Sequence, residues 1–388
     1  MGNSHRVGRA IALMAMFAAL CVSSASAAAP AVVVSFGESI AAGEGLGSHN
    51  GYPDNPGAYP SRLAALLGGT SYDFAISGAC ASTASAGDPG TDPHCSGAKS
   101  VMTRQIPDAV SYQQQHGALA PALVTLTVGA NDIYFSQCVR ALLLEQTGRP
   151  AAGDPCSDAS LNTHLAALSH NLPAVLQKLH GVFPQAKVAV TGYFQLFPAS
   201  IRPGMRCFNA MRALYLVRAY NTNSLFGVAV SAITGRLNSD VSGFAQTVTQ
   251  REQTVLGRLN SVIAAAAAAN GATFVPLSFA GHDFCQDYPG GTQASWVFAP
   301  LVNPASITVD ALVYHHTFNQ ALVPRTRCVP QPTCNVKTYT ATGSKGVSWH
   351  GQKVALKYRL FAELNDFPHL TAAGQAAVAA TITSSAAP

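Results

Sequence analysis

The chain has 388 residues, 48% of them apolar and 11% charged, with no long run of one sign. That composition supports a substantial core in one large or two modest domains and excludes disorder over most of the length. Twenty-three basic residues against 18 acidic ones, scattered along the chain, are too weak a surplus for a nucleic-acid partner.

Residues 1–27 have the form of an export signal. Arg6 and Arg9 precede an apolar stretch from Ile11 to Val22, and Ala25-Ser26-Ala27 offers a small-residue cleavage site. The mature chain is expected to begin near Ala28, with 21 basic and 18 acidic residues and a net charge of +3. Cys21 follows Leu20 where a lipoprotein signal needs a small residue, so no lipid anchor is expected. No later segment offers roughly 18 consecutive apolar residues. The expectation is an exported protein without a transmembrane segment, secreted to the periplasm or beyond.

Residues 32–45 (VVVSFGESIAAGEG) read as a buried strand, a tight turn at Phe36-Gly37 and the start of a helix with Ser39 at its mouth. A serine there has its hydroxyl at the carboxyl end of a strand and its N–H at the positive end of a helix, where an anionic intermediate is favoured. Ser39 is the candidate nucleophile; a simple helix cap is the plainer alternative. Residues 59–67 (YPSRLAALL) have helical periodicity and stop at Gly68-Gly69. Residues 72–76 predict a short strand ending at Ser77-Gly78.

Residues 81–97 are rich in Ser, Gly, Asp and Pro and read as loop. A polar helix is expected over 102–116, and 121–128 (PALVTLTV) predicts a central buried strand. Gly129-Ala130-Asn131-Asp132 ends that strand. Residues 133–157 read as irregular, 161–179 as a long amphipathic helix bent at Pro173, and 186–191 (AKVAVT) as a fourth strand. Tyr193, Phe194, Leu196 and Phe197 then form an apolar group suited to lining a pocket. Residues 209–270 are mostly helical, with a break at 227–243, and 273–277 supply a fifth strand. Strands alternating with helices imply a parallel sheet covered on both faces.

Residues 281–361 depart from this rhythm. Short β-prone runs (337–340, KTYT; 354–358, VALKY) suggest an elaboration above the sheet, a lid or a small hairpin subdomain. Trp296, Phe298, Tyr314 and Trp349 could line an acyl-binding surface there, or be core. Asp366-Phe367-Pro368-His369 and a helix over 371–383 close the chain.

In a parallel sheet all strand carboxyl ends share one edge, so Ser39, Gly78, Asn131, Asp366 and His369 can converge. The set suits acyl transfer: Ser39 attacks, His369 serves as general base and then acid, and Asp366 orients it. The oxyanion would be held by the N–H groups of Ser39 and Gly78 and the side-chain amide of Asn131. His282, His315, His316 and His350 are competing imidazoles without a third ligand at metal spacing, so no metal is expected.

Eight cysteines follow the signal segment: Cys80, Cys95, Cys138, Cys156, Cys207, Cys285, Cys328 and Cys334. An even number in an exported chain reads as disulfides, with on the order of a hundred pairings open. Short local loops favour Cys80–Cys95, Cys138–Cys156 and Cys328–Cys334.

Gly37-Glu38-Ser39, Gly78, Gly129-Ala130-Asn131-Asp132 and Asp366-Phe367-Pro368-His369 together resemble the four sequence blocks of the SGNH, or GDSL, hydrolases. GESIAAGEG, AYPSRLAALLGG, FAISGAC and GHDFC resemble the secreted, disulfide-bonded bacterial esterase and lipase branch. The resemblance implies a flavodoxin-like three-layer α/β/α sandwich with a central five-stranded parallel sheet over residues 28–388, interrupted by the long insertion before the last helix. It implies hydrolysis of small-molecule or lipid carboxylic esters without a cofactor, in the roles above. It also implies a bond between Cys207 and Cys285. Glu38 departs from the family's usual Asp, and the 227–243 and 281–361 segments are longer than the branch leads one to expect. The leading expectation is a secreted serine esterase or lipase, with phospholipase, acyltransferase and carbohydrate deacetylase as variants. The alternative from another class is a secreted binding or adhesion protein that keeps the fold without activity.

Overall fold

The computed structural model describes residues 30–46, 56–81, 95, 98–144, 156–205, 207–221, 227–228, 231, 235–287, 301–310, 315–318, 338–349, 352–363 and 369–387, with residues 301–363 described by their backbone. The expected signal segment, Asp366, and the pair Cys328 and Cys334 lie outside these residues, as do Trp296, Phe298, Tyr314 and His350.

Five strands form the central sheet: β1 (Val32–Gly37), β2 (Thr70–Asp73), β3 (Leu123–Thr127), β4 (Lys187–Thr191) and β5 (Thr273–Val275). All are parallel, in the order β2-β1-β3-β4-β5. This is the flavodoxin-like order, and the expected α/β class is the one observed. The chain reverses direction across the sheet between β1 and β3, which makes that edge the switch point where open α/β sheets bind ligands. Gly37 pairs with Thr127 at this edge, so the residues after β1 and β3 emerge side by side.

The helices are α1 (Ser39–Ala42), α2 (Tyr59–Leu66), α3 (Ile106–His116), α4 (Phe135–Leu144), α5 (Asp158–Val182), α6 (Phe208–Asn221), α7 (Leu237–Ala269) and α8 (Ala372–Ala386). α2 and α8 pack together over one face of the sheet, whereas α5 and α7 cover the other. Alternation along β1 sends Val34 and Phe36 to the α5 side, where Phe36 stacks on Phe74 and meets Phe183. Ser35, Thr125, Thr127 and Thr191 lie under α2 with the hydroxyl of Tyr59 and hydrogen-bond one another at 2.7–3.2 Å. Each buried hydroxyl therefore has a partner, which keeps a polar row inside a sheet from costing stability. Among the described residues no helix is long and apolar enough to cross a membrane.

Four local expectations need correcting. Residues 135–144, read as irregular, form α4, because Phe135, Cys138, Val139, Leu142 and Leu143 make a buried helical stripe. α7 runs without interruption through Gly243, its buried stripe from Val241 to Ile263 outweighing the low helix propensity of one exposed glycine. β2 ends at Asp73 rather than Ile76, since the carboxylate of Asp73 turns back to accept from the N–H of Ala75. The helix expected from residue 102 opens with a π-helical turn, Val101–Gln105.

Residues within the long insertion form a second sheet, antiparallel, in the order β7-β6-β9-β8. Its strands are β6 (Leu301–Asp310), β7 (His315–Phe318), β8 (Thr338–Trp349) and β9 (Gln352–Glu363). The β6–β9 register shifts between Asn303 and Ser306, around Pro304, whose missing N–H cannot serve a ladder. α6 runs beside β6 and β9.

Among the described residues the disulfides are Cys80–Cys95, Cys138–Cys156 and Cys207–Cys285. Two close the short loops anticipated from spacing, and the third is the long-range pair implied by the resemblance.

Candidate active site

The turn after β1 is held from three sides. Gly37 has a φ of +139°, and a Cβ there would lie 2.2 Å from the carbonyl oxygen of Thr127, so the position requires glycine. The N–H of Glu38 donates to that same carbonyl at 3.0 Å. The buried amide of Gln105 clamps Gly37, accepting from its N–H and donating to its oxygen, each at 2.8 Å. Ser39 is thereby presented at the start of α1 and is 8% exposed.

The Ser39 hydroxyl donates to Oε2 of Glu38 at 2.7 Å. The same carboxylate faces Nδ2 of Asn131 and the hydroxyl of Tyr193, each at 3.4 Å. Burial pushes the Glu38 carboxyl above the usual carboxylate range, opposed by the hydrogen bonds it accepts from Ser39 and Tyr193 and from the N–H groups of Ile40 and Ser39. Burial and the neighbouring Glu38 carboxylate raise the Tyr193 phenol well above its ordinary value, so it stays neutral and can donate and accept at once.

The block after β3 is tied to the block after β2. Asn131 donates through Nδ2 to the carbonyl of Ala79 at 2.9 Å. Both carboxylate oxygens of Asp132 accept from the N–H of Ala81, at 3.1 and 3.2 Å. Gly78, at φ +78°, makes the turn that allows this approach. The N–H of Ala130 donates to the Tyr193 hydroxyl at 3.1 Å. Tyr193 is itself gripped by Asn260 of α7, whose amide accepts from its N–H at 2.7 Å and donates to its carbonyl at 2.8 Å. Next along the chain, the buried carboxylate of Glu252 accepts from the N–H groups of Leu196 and Phe197.

His369 arrives from the other end of the chain. It immediately precedes Leu370, which is fully buried, and Thr371, whose side chain caps α8. Gln375 pins α8 to the serine segment: its Nε2 donates to the carbonyl of Ile40 at 2.9 Å, and its Oε1 accepts from the N–H of Tyr59 at 2.8 Å. Ser39, Asn131 and His369 consequently line one cleft with Ile40, Phe135, Phe194 and Leu196.

Residues 35–300 match the family model for GDSL-like lipases and acylhydrolases. The chain belongs to that family. The GDSL-like match covers the β1, β2 and β3 blocks and stops short of His369, which the fold brings back to the same edge. Among solved structures the chain is similar to phospholipase A1 from Streptomyces albidoflavus NA297, at 19% identity and TM-score 0.48 over 92% of this chain and 100% of that one. It is also similar to the extracellular lipase of Streptomyces rimosus, at 19% identity and TM-score 0.43 over 69% and 87%. A third is a carbohydrate acetylesterase from Sinorhizobium meliloti, at 14% identity and TM-score 0.27 over 63% and 83%. No curated protein sequence matches the chain.

The GDSL-like chain thus gathers three of the five residues singled out from its sequence into one cleft. Gly78 sits one residue from the Ala79 carbonyl that holds Asn131 but does not line the cleft, and Asp366 lies outside the described residues. Sequence reasoning missed what Tyr193 and Gln375 do. Glu38 stood out as a departure from the family's Asp, and Tyr193 stood at a strand's carboxyl end within an apolar group; Gln375 gave no local signal.

Proposed function

We propose that this acyl ester hydrolase is a secreted serine esterase that cleaves carboxylic esters through an acyl-enzyme. Ser39 attacks the carbonyl carbon, His369 takes the hydroxyl proton and passes it to the leaving alcohol, and Asp366 orients the imidazole. Water then repeats the sequence to release the acid. The N–H groups of Ser39 and Gly78 and the amide of Asn131 hold the oxyanion. The observation that carries the reading is the shared cleft of Ser39, Asn131 and His369, assembled from three distant stretches of chain. For this step the Ser39 hydroxyl exchanges the bond it donates to Glu38 for one to the imidazole.

A second reading, a binding protein with an inactive hydrolase fold, draws on the bond that the Ser39 hydroxyl already makes to Glu38. The two separate on one experiment. A fluorophosphonate probe should add once to the folded protein, on Ser39, and Ser39→Ala and His369→Ala should each reduce p-nitrophenyl acetate turnover by at least about a thousandfold. An unlabelled, inactive wild type with an intact fold would favour the binding protein.

A further inference from the structure

The side chain of Glu38 engages the groups on which ester cleavage would depend. Its Oε2 accepts from the Ser39 hydroxyl at 2.7 Å and faces Nδ2 of Asn131 at 3.4 Å. The Asn131 amide carries two hydrogens, and its other bond goes to the carbonyl of Ala79 at 2.9 Å. The Ser39 N–H also donates to the Glu38 side chain. An internal carboxyl group therefore holds the proposed nucleophile and two of the three proposed oxyanion donors, the Ser39 N–H and the Asn131 amide. Glu38 is 2% exposed, so little water screens its charge from these groups.

The ionised and neutral forms of such a group act differently. A carboxylate is the stronger acceptor and keeps the Ser39 hydroxyl proton from the imidazole. It also sets a negative charge beside the donors that a tetrahedral intermediate needs, where an oxyanion would be repelled. The neutral acid binds the hydroxyl more weakly and carries no charge to repel the oxyanion. Burial favours that neutral form, since it pushes the Glu38 carboxyl above its usual range. The neighbouring titratable groups come from every segment packed around it. Tyr193 after β4 faces Oε1 at 3.4 Å, with Asp132 after β3 acting on the same phenol. Tyr59 of α2 feels both Glu38 and Asp73 of β2, and His369, ahead of α8, shares the cleft. Burial raises both phenols, so they stay neutral while Glu38 titrates.

We infer that Glu38 is a positioning residue: ionised, it occupies the Ser39 hydroxyl and the oxyanion donors, and on taking a proton from solvent it releases them, so that ester cleavage proceeds only with Glu38 neutral. The inference rests on the ester-hydrolase reading. His369 must be neutral to accept the hydroxyl proton, so kcat/KM rises with pH as the imidazole deprotonates and falls as Glu38 ionises. p-Nitrophenyl acetate turnover is followed from about pH 5 to pH 10, corrected for spontaneous hydrolysis, in the wild type, Glu38→Gln, Tyr193→Phe and Glu252→Gln. The wild type should lose about tenfold in kcat/KM per pH unit beyond its alkaline bend. Glu38→Gln, uncharged at every pH, should lack that alkaline limb. Tyr193→Phe removes a hydrogen bond that favours the carboxylate and should move the limb to higher pH by at least about half a unit, whatever the height of the profile. Glu252, with its carboxyl pushed up to about 8, is the rival origin, and Glu252→Gln should retain the limb. Infrared difference spectra of the substrate-free wild type should lose a carboxylic-acid carbonyl band, absent from Glu38→Gln, over the same pH interval. An alkaline limb that survives in Glu38→Gln, disappears in Glu252→Gln or is missing from an active wild type would overturn the inference, as would a Glu38 band that titrates in a different interval. If Glu38→Gln does not fold, Tyr193→Phe decides, and a limb left in place there overturns it. A folded wild type inactive at every pH would instead count against the ester-hydrolase reading.

Discussion

At Tyr193 one phenol oxygen accepts from the N–H of Ala130 and donates to Glu38, so it joins the loop carrying Asn131 to the residue beside Ser39. Tyr193→Phe removes that oxygen and leaves the Ala130 N–H without its acceptor, a loss of about 1–3 kcal/mol. The expected outcome is a fall in kcat of roughly 10–100-fold with KM little changed. Steady-state kinetics on a simple ester would show it, and an unchanged kcat would separate the phenol from the site. Glu252 behaves differently because burial pushes its carboxyl up to about 8 from 4.5, against the two backbone N–H groups it accepts from. Between those values the folded chain keeps a proton that the unfolded chain has released. Its contribution is therefore fully present below the lower value, falls as pH rises through the window, and is level above it. Glu252→Gln should lower stability at pH 5 and flatten the decline between pH 5 and 8 by a few kcal/mol. Urea melts of both proteins across that range read the slope directly.

α8 follows His369 by only a few residues, so its seating fixes where the imidazole enters the cleft. Gln375 is fully buried and satisfies two backbone groups, one beside Ser39 and one at the start of α2. Gln375→Leu keeps the bulk and strands both groups, at a cost of about 2–4 kcal/mol. A lowered urea midpoint and reduced kcat are expected together; full activity in a destabilised variant would mean that α8 does not govern the imidazole. Several elements were legible before any tertiary contact was known. β1, β3 and β4 are runs of branched apolar residues, and α2 stops at Gly68-Gly69, where the N–H of Gly69 returns to the carbonyl of Ala64. α4 was hidden because two cysteines and a polar stretch obscured a stripe that is plain once its buried positions are counted. The length of α7 was hidden for a related reason: Gly243 has a weak local preference, and packing of the adjacent Phe244 against Tyr215 and Arg218 of α6 overrides it.

Across the whole molecule, Cys207–Cys285 joins the start of α6 to the turn after β5, closing a span of 78 residues that includes α7. Constraint of the unfolded chain by a loop of that size contributes about 4 kcal/mol. The Cys207→Ser/Cys285→Ser protein should lose a comparable amount in denaturant melts. A loss below about 1 kcal/mol would show that the crosslink adds little restraint. What the residues alone determined was local: which runs become strands and where glycine ends a helix. These follow from side-chain branching, periodicity and backbone freedom, all of which act over a few residues. The tertiary structure alone decided that Ser39 and His369, 330 positions apart in the numbering, line one cleft. It also decided that Glu38 receives the serine hydroxyl. Such contacts depend on strand order and helix packing, which bring together groups whose local sequences hold no record of one another.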